Sequence, residues 1–248
     1  MRRVWWFTAT ARTKARFVRT IFGSFWLGLS NLLSIGVLAS IYYTLFEYED
    51  FNSYVVYLGI GLVVWNTLAG AIGSAPNLFE QNHNHVHNTN LNPIFYTLEE
   101  WAFQLQTFVQ SFLLVILVLS IFQYDLFANL LIVGWLPLIN LFLFIYWFPV
   151  LLCVLGARYR DLYQLVPIIL QLIFLLSPIL YEKKMLGDKG WTADFNPIYR
   201  ILSPVRHSMM SGELQIGQGL FLLGVNIIGI WIALRLINRE RPNLPFLI

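Results

Sequence analysis

Residues Gly156–Tyr181 read GARYRDLYQLVPIILQLIFLLSPILY, and this stretch decides the fold. It opens with two arginines and an aspartate, continues as an apolar run with a proline near each end, and stops at a tyrosine. An apolar run of about 20 residues is long enough to cross a bilayer as a helix. The whole chain has this character, because 58% of its residues are hydrophobic and 12% are charged, against about 25% charged in soluble domains. The sequence therefore predicts an all-α integral membrane protein.

Six apolar runs predict six transmembrane helices in a single membrane domain, residues 1–248. The predicted spans are Thr20–Phe46, Tyr54–Ala75, Trp101–Phe122, Leu126–Leu155, Leu162–Tyr181 and Ile216–Ile237. With the N-terminus inside, eleven of the 16 lysines and arginines fall on the inner side and five on the outer side. Because membrane proteins keep their positive charge on the cytoplasmic side, both termini are predicted to be cytoplasmic.

Residues 1–19 form a basic and aromatic segment before the first span. At helical spacing Arg12, Arg16 and Arg19 share one narrow arc, and aromatic residues occupy the other side. This pattern predicts an amphipathic interface helix whose arginines face anionic lipid; the alternative is a disordered basic tail. The segment lacks the short apolar core and cleavage site of a signal peptide, so we expect it to be retained.

Two other segments outside the spans differ in character. Residues 76–100 form a polar loop that is predicted to be cytoplasmic, and residues 182–215 are predicted to lie outside. The first part of the outer segment alternates lysine and aspartate, which is typical of a solvated loop. After Asn196 and Pro197, apolar residues recur at helical spacing as far as Gly212. The sequence therefore predicts short helices on the outer face between the fifth and sixth spans.

Catalytic chemistry finds little support in the sequence. It contains no G-x-x-x-x-G-K-[ST] loop, so we do not expect this chain to bind ATP itself. The spans hold almost no ionisable residues, which argues against a proton-coupled pump or an intramembrane hydrolase. His83, His85 and His87 could together hold a metal ion, but the segment is rich in asparagine and lacks carboxylates around it. A polar loop is the preferred interpretation, and no metal site is predicted.

Two sets of side chains leave alternatives open. Amides within the spans either hydrogen-bond between helices or face a polar cavity. They are Asn31, Asn66, Asn140, Gln171 and Asn226. Aromatic residues near the predicted outer ends of spans 1, 2 and 5 form either an interfacial belt or a stacking surface for sugar rings. They are Tyr42, Tyr43, Phe46, Tyr54, Tyr57, Phe174 and Tyr181.

Four short motifs follow one another in a specific order over more than fifty residues. They are A-R-Y-R-D-L at Ala157–Leu162, S-P-I-L-Y at Ser177–Tyr181, N-P-I-Y at Asn196–Tyr199 and R-H-S-M-M-S-G at Arg206–Gly212. A weaker motif, G-L-V-V-W-N, lies at Gly61–Asn66. In this order the chain resembles the membrane subunit of ABC transporters of the ABC-2 export type. More narrowly, it resembles the permeases that export O-antigen, capsule and teichoic acid polysaccharides.

The resemblance implies an assembly and a cargo. Two copies of this chain would pair with two copies of a separate nucleotide-binding subunit, which would hold ATP and Mg²⁺. No cofactor is then expected on this chain. The implied cargo is a lipid-linked polysaccharide that crosses the bacterial inner membrane, and the other implied partner is membrane lipid, not nucleic acid. Two alternatives are an ABC-2 exporter of a small molecule or lipid, and a lipid-modifying membrane enzyme that uses the histidines with Glu80.

The resemblance also assigns roles to individual residues. Aromatic residues of spans 1 and 5 would line the substrate pathway: Tyr42, Tyr43, Phe46, Phe174 and Tyr181. The outer helices would form a gate that includes Pro197, Tyr199 and Arg206. The cytoplasmic loop would couple to the ATPase through Phe79, Asn82, Asn92 and Pro93. Arg158 and Arg160 would meet a lipid-linked diphosphate at the entrance, although a positive-inside anchor paired with Asp161 explains them equally well.

Overall fold

The computed structural model describes residues 4–88 and 91–247, and within residues 86–88 it describes the backbone alone. Every regular element in this part of the chain is helical. The helices are α1 (Val4–Phe17), α2 (Phe25–Leu45), α3 (Phe51–Ser74), α4 (Leu78–Gln81), α5 (His83–Asn88), α6 (Ile94–Leu119), α7 (Leu126–Ile132), α8 (Trp135–Arg158), α9 (Leu162–Leu176), α10 (Trp191–Phe195), α11 (Pro197–Ser211), α12 (Ile216–Glu240) and α13 (Leu244–Leu247). Short 3-10 turns at Ala75–Asn77 and Lys183–Lys189 join neighbouring helices.

Among the described residues, five helices are long and apolar enough to cross a membrane. They are α2, α6, α8, α12 and α3 with the turns that extend it to Gln81. The prediction of an all-α integral membrane protein is confirmed. We call the two ends of this bundle the α1 end and the α11 end. The α1 end also holds the end of α3 and the start of α6, whereas the α11 end holds the start of α3 and the turn before α7.

Helix α3 is the central helix of the bundle. It packs against α2, α6, α8, α9 and α11. Most of its residues are buried, from Tyr54 near one end to Ile72 near the other. Its N-terminus is closed by Asp50, whose side chain accepts a hydrogen bond from the backbone N–H of Asn52. These five helices surround α3, so it forms the centre of the hydrophobic core.

The fifth predicted span, Leu162–Tyr181, is helical only as far as Leu176. Its 15 residues give α9 a length of about 22 Å, shorter than the hydrocarbon core of about 30 Å. The cause is Pro178, because a residue before proline avoids the helical region, and Ser177 is extended with φ −87° and ψ 141°. The chain continues beside α3 without helical structure, in residues Ser177–Tyr181, which we call the α9 tail. A sixth crossing, and with it the count of six, stays a prediction.

The fourth predicted span, Leu126–Leu155, is broken rather than kinked. Helix α7 ends at Ile132, and α8 begins at Trp135. Pro137 in the first turn of α8 explains the break, because its ring would clash with the carbonyl four residues earlier in a continuous helix. The second proline of this span lies inside α8, where the helix continues through it.

Helix α1 agrees only partly with the predicted interface helix of residues 1–19, of which residues 1–3 lie outside the described part. It lies along α6, and Arg12 Nη1 donates to Glu100 Oε2 over 2.6 Å. The structure thus turns Arg12 towards the protein, whereas the pattern predicted that it would face lipid. A turn with Gly23 at φ +54° separates α1 from α2, so the first spanning helix starts five residues later than predicted.

Candidate functional site

Three of the sequence motifs meet at the α11 end. Arg206 of α11 reaches the α9 tail, where Nη1 donates to the Pro178 carbonyl over 2.8 Å and Nη2 donates to the Ile179 carbonyl over 3.4 Å. The Asn196 side-chain amide donates to the Ser177 hydroxyl over 2.6 Å. The S-P-I-L-Y, N-P-I-Y and R-H-S-M-M-S-G motifs are therefore parts of one contact, which joins the tail of α9 to α11.

Two tyrosines of α3 complete the hydrogen bonding of the α9 tail. The Tyr54 hydroxyl donates to the Leu180 carbonyl over 2.7 Å. The Tyr57 hydroxyl lies 3.0 Å from the Pro178 carbonyl and 2.9 Å from the Tyr181 carbonyl. Together with Arg206, these hydroxyls reach every carbonyl from Pro178 to Tyr181. Non-helical backbone is tolerated at membrane depth only where protein groups satisfy it, so this set of donors permits the tail to lie beside α3.

Arg206 is a buried cation, with 4% of its surface exposed. Its guanidinium lies 3.7 Å from the centre of the Tyr57 ring, and no carboxylate among the described residues is within ion-pair distance of it. Burial lowers the pKa of Arg206, while the nearby phenols and Glu182 act in the opposite direction. Arginine stays protonated under such a shift, so carbonyl dipoles and an aromatic ring stabilise the charge. Gly61 leaves room for it, since a Cβ there would collide with the guanidinium.

Helix α11 has well-formed ends. The Asn196 side-chain oxygen accepts from the backbone N–H groups of Ile198 and Tyr199, and Pro197 occupies the first turn, where its missing N–H costs nothing. Gly212 ends the helix with φ +68°, a left-handed conformation that glycine adopts readily. Of the predicted gate residues, Pro197 is exposed at the helix start, whereas Tyr199 and Arg206 are buried.

A cleft of about 350 Å³ opens between α11 and the segment that follows the α9 tail. Tyr57, Tyr199 and Arg206 lie at its wall. At its rim Lys184 Nζ lies 2.7 Å from a Glu182 carboxylate oxygen, and this hydrogen bond raises the pKa of the lysine. The cleft lies directly over the Arg206 contact, so any movement of α11 would change its shape.

The predicted aromatic pathway divides into separate groups. Tyr42 stacks on Phe46 with 5.6 Å between ring centres, and Phe46 meets Tyr181 at 6.5 Å. Tyr43 instead packs against Phe51. Phe174 lies deeper and contacts Trp65. A further aromatic residue, Tyr48, stacks on Tyr54 at 4.1 Å, and its hydroxyl accepts from the Glu182 backbone N–H.

Arg158 and Arg160 are exposed at the α1 end, where α8 turns into α9. Arg160 forms an ion pair of 3.6 Å with Glu80, at the end of α4. Arg158 lies over the ring of Tyr159. No ion pair between Asp161 and either arginine is found in the described part of the chain. Glu80 is therefore the ion-pair partner of Arg160, a role that the sequence suggested for Asp161. Neither arginine is enclosed by protein.

The four predicted coupling residues lie in different environments. Phe79 is fully buried in a cluster with Val150 and Val154 of α8. The Asn82 side chain donates to a carbonyl of its own turn. Asn92 is exposed, and Pro93 is buried. Asn92 is thus the member of this set that a partner could touch, while Phe79 fixes α4 to α8.

The amides within the spans separate into two kinds. Asn140 and Asn226 are each 1% exposed and join α8 to α12 through a hydrogen bond of 2.9 Å. Asn31 and Asn66 bond to each other over 2.7 Å but border an open cavity between α2, α3 and α6. Gln171 is exposed on α9.

The histidine segment forms α5, next to the coupling residues. His83 and His85 are exposed, and the side chain of His87 lies outside the described residues. Within the part that is described, no three histidine, cysteine or acidic side chains come together as a metal site would require.

Comparison with known proteins identifies this membrane bundle as a transport subunit. The model of the ABC-2 type transporter family matches residues 6–210, so the chain belongs to that family. One similar protein is the O-antigen export system permease protein RfbA of Klebsiella pneumoniae, 25% identical over 236 residues, which are 91% of this chain and 87% of the relative. A second protein of the same name and organism is 24% identical over 211 residues, 81% of this chain and 78% of the relative.

Proposed function

We propose that this chain is the permease subunit of an ATP-driven exporter that moves lipid-linked polysaccharide across the bacterial inner membrane. The observation that carries the proposal is the contact between α11 and the α9 tail. Helix α11 packs its apolar face against α3, α7 and α8, and Arg206 joins it to the α9 tail by two hydrogen bonds. Such an arrangement suits a gate, and the names of the two relatives supply the class of cargo.

The orientation follows from charge. Arg158 and Arg160 lie at the α1 end, as do Arg235, Arg239 and Arg241 at the end of α12. The basic residues of α1 belong to the same end. Because cytoplasmic segments of membrane proteins are rich in lysine and arginine, the α1 end faces the cytoplasm. Both termini are then cytoplasmic, and α11 lies on the outer face.

Free energy has to come from a second polypeptide, because the sequence contains no phosphate-binding loop. Two copies of the permease would bind two copies of an ATPase, which would hold ATP and Mg²⁺. Exposed Asn92 and the neighbouring α5 are where the ATPase would touch this chain. Buried Phe79 would transmit the movement of the ATPase to the spanning helices, since it joins α4 to α8. Coupling would thus use a surface contact and a buried anchor behind it.

The pathway would use aromatic and basic groups at opposite ends. Tyr42, Phe46 and Tyr181 form the aromatic group at the outer end, where ring faces can stack against sugars. Arg158 and Arg160 stand exposed at the cytoplasmic end, where guanidinium groups can meet a lipid-linked diphosphate. The polymer would pass from the arginines to the aromatic residues.

Reconstitution tests this function directly. Vesicles with the permease and its ATPase should export a lipid-linked polymer when ATP is added, and vesicles with either protein alone should not. The purified permease alone should bind no ATP. Tight ATP binding by the isolated chain would overturn the proposal.

The cargo can be tested at the aromatic group. Alanine in place of both Tyr42 and Phe46 should lower polymer export while the assembly with the ATPase stays intact. Tyr43→Ala provides the comparison, because Tyr43 packs elsewhere, against Phe51. Normal polymer export by the double variant would favour a small-molecule or lipid cargo instead.

A further inference from the structure

A polar cavity of about 340 Å³ lies between α2, α3 and α6, in the half of the bundle next to α1. Its polar lining comes from three helices that are long enough to span a membrane: Ser30, Asn31, Asn66, Thr67, Gln104, Thr107 and Ser111. The volume falls in the range of small-ligand sites, about 300–1,000 Å³. Polar side chains within spans are costly, and they commonly mark a ligand or ion pathway.

The amide pair at this cavity is more exposed than the amide pair on the other side of the bundle. Asn140 and Asn226 satisfy each other and are enclosed. Asn66 is exposed, and Asn31 is half-buried. Both border open volume although they are hydrogen-bonded to each other. Asn31 also donates to the Ser111 hydroxyl of α6 over 2.7 Å, so these amides join three helices and line open volume as well.

The hydroxyl groups of the cavity are arranged as acceptors. Ser30, Thr67 and Thr107 each donate to a carbonyl three or four residues earlier in their own helix. Each oxygen therefore keeps its lone pairs for a group that donates. Sugars and polyols present many hydroxyl donors, so a hydroxyl-rich ligand matches this lining.

Gln104 adds a further acceptor. Its side-chain nitrogen donates to Glu100 over 2.8 Å, which leaves the oxygen for other donors. That oxygen lies beside Gly70, another lining residue. Because glycine has no side chain at this position of α3, the cavity extends as far as Gln104.

Arg16 lines the same cavity from the end of α1. It is exposed, and its guanidinium lies 5.6 Å from the centre of the neighbouring Phe17 ring. In the described residues no carboxylate lies within ion-pair distance of Arg16. An arginine at the edge of a hydroxyl-binding cavity suits a phosphate group, to which guanidinium binds with two parallel hydrogen bonds.

We propose that this cavity binds the headgroup of a phosphate-bearing, hydroxyl-rich lipid. Two lipids share that chemistry, a polyprenyl-diphosphate-linked sugar and phosphatidylglycerol. The first would be the exported substrate at an early stage, and this assignment rests on the proposed function. The second would be a membrane lipid bound beside the pathway. The site is separate from Arg158 and Arg160, which lie where α8 meets α9.

Protection of an introduced thiol tests the site in the full-length chain. Cys153, the single native cysteine, is buried, so Ser30→Cys supplies an accessible thiol at the cavity. Its labelling rate with a small methanethiosulfonate would be measured in nanodiscs of phosphatidylcholine, alone or with either lipid added. A bound headgroup should slow labelling about tenfold, the effect of a ligand at roughly ten times its Kd.

Filling the cavity provides the control. Gly70→Val should abolish the protection, because its side chain would occupy the space of the headgroup. The variant should still fold, since a Cβ there meets only Gln104, at 3.5 Å. Gly224→Val on α12, where a Cβ meets nothing within 4 Å, should leave the protection unchanged. Thr107→Val, which removes one acceptor and keeps the side-chain shape, should weaken the protection. Thermal unfolding of each variant confirms that it is folded.

The outcomes separate the two lipids and the two proposals. Protection by the glycolipid alone supports a substrate site, and equal protection by phosphatidylglycerol supports a membrane-lipid site. An unchanged labelling rate with both lipids would overturn the inference, even in a chain that exports polymer normally. A protected thiol in a chain that exports no polymer would instead leave the site in place and contradict the proposed function.

Discussion

At the scale of the residue, Arg206 explains how a non-helical segment lies beside the central helix. It donates to two carbonyls of the α9 tail and rests on the ring of Tyr57. The sequence singled out Arg206 through its motif and predicted a gate role. Its partners did not follow from the motif, because they are backbone carbonyls, which carry no sequence signal. The sequence pointed to the rings of Tyr54 and Tyr57, which do make contacts, but it gave no sign of the hydrogen bonds that their hydroxyls make.

Replacing Arg206 by methionine keeps the volume and removes the donors. We expect the free energy of unfolding to fall by about 1–3 kcal/mol, the cost of leaving buried polar groups unsatisfied. Unfolding by dodecyl sulfate in lipid–detergent micelles would measure it. Arg206→Lys should recover part of the loss, since the ammonium can still donate to one carbonyl.

The matched control lies on the same helix. Arg200 is exposed, and Arg200→Met should change the free energy by no more than about 0.5 kcal/mol, as is usual at the surface. Equal losses at the two positions would contradict the role given to Arg206.

Gly61 should be coupled to Arg206. Gly61→Ala forces a methyl group against the guanidinium, and overpacking of this kind costs about 1–3 kcal/mol. In the Arg206→Ala background the same change should cost little, because the side chain that it meets is gone. A double-mutant cycle in the same unfolding assay measures the coupling, and additive effects would show that the clash is relieved elsewhere.

At the scale of the element, prolines decide where the sequence predictions succeed and where they fail. Hydrophobic runs predicted α3 and α12 to within three residues at each end, since a spanning helix needs about 20 apolar residues. Helix α2 starts five residues after its predicted start, and α6 starts seven residues before its own. The same runs overestimated α9, because Pro178 ends the helix while the residues after it stay apolar. Pro137 likewise divides the fourth run into α7 and α8. A hydrophobic run shows which residues are apolar, but it does not show where the backbone stops being helical.

The attachment of α1 to α6 is a second property of elements. Arg12 contacts Glu100 over 2.6 Å and lies over the Phe103 ring at 4.2 Å. Arg12→Met should weaken the attachment by about 1–3 kcal/mol, because Glu100 keeps a buried charge without its cation. Faster hydrogen exchange in α1, measured by mass spectrometry, would report the loss.

Two further variants control for this effect. Lys14→Met removes an exposed charge from the same helix and should leave the exchange unchanged. Glu100→Gln in the Arg12→Met background should slow the exchange again, since it removes the stranded charge. If Lys14→Met matched Arg12→Met, net charge rather than the specific pair would hold α1 in place.

At the scale of the whole molecule, the family motifs are distant in sequence and adjacent in space. The α9 tail, the start of α11 and Arg206 form one contact, although two connecting segments separate them in the chain. Their order predicted the family, and the family was confirmed. For the amides at the polar cavity near α1, the sequence left two interpretations open: hydrogen bonding between helices or lining of a cavity. Hydrophobic periodicity cannot show whether open volume remains between helices.

A reversible cross-link tests whether α11 must move for transport. Ser177→Cys with Asn196→Cys replaces a side-chain contact of 2.6 Å by two thiols that oxidation would join as a disulfide. Oxidation should abolish export by the permease with its ATPase, and a reductant should restore it.

A second pair of cysteines provides the comparison. Asn140→Cys with Asn226→Cys joins α8 to α12, where the two amides already bond over 2.9 Å. Its oxidation should leave export unchanged, because these helices pack along their lengths. Export that continued with the Ser177–Asn196 cross-link in place would contradict a moving gate.

The dependence of the α9 tail on Arg206 has a consequence for how the protein is made. During synthesis α9 leaves the ribosome before α11 does, so the tail enters the translocon without Arg206, while Tyr54 and Tyr57 of α3 are already present. The Ile179 carbonyl, which Arg206 reaches, then has no donor, and an unsatisfied group in lipid costs several kcal/mol. The tail must therefore wait in a wet environment until α11 has been translated. Insertion of this part of the chain is thus completed late, when a later segment docks on an earlier one.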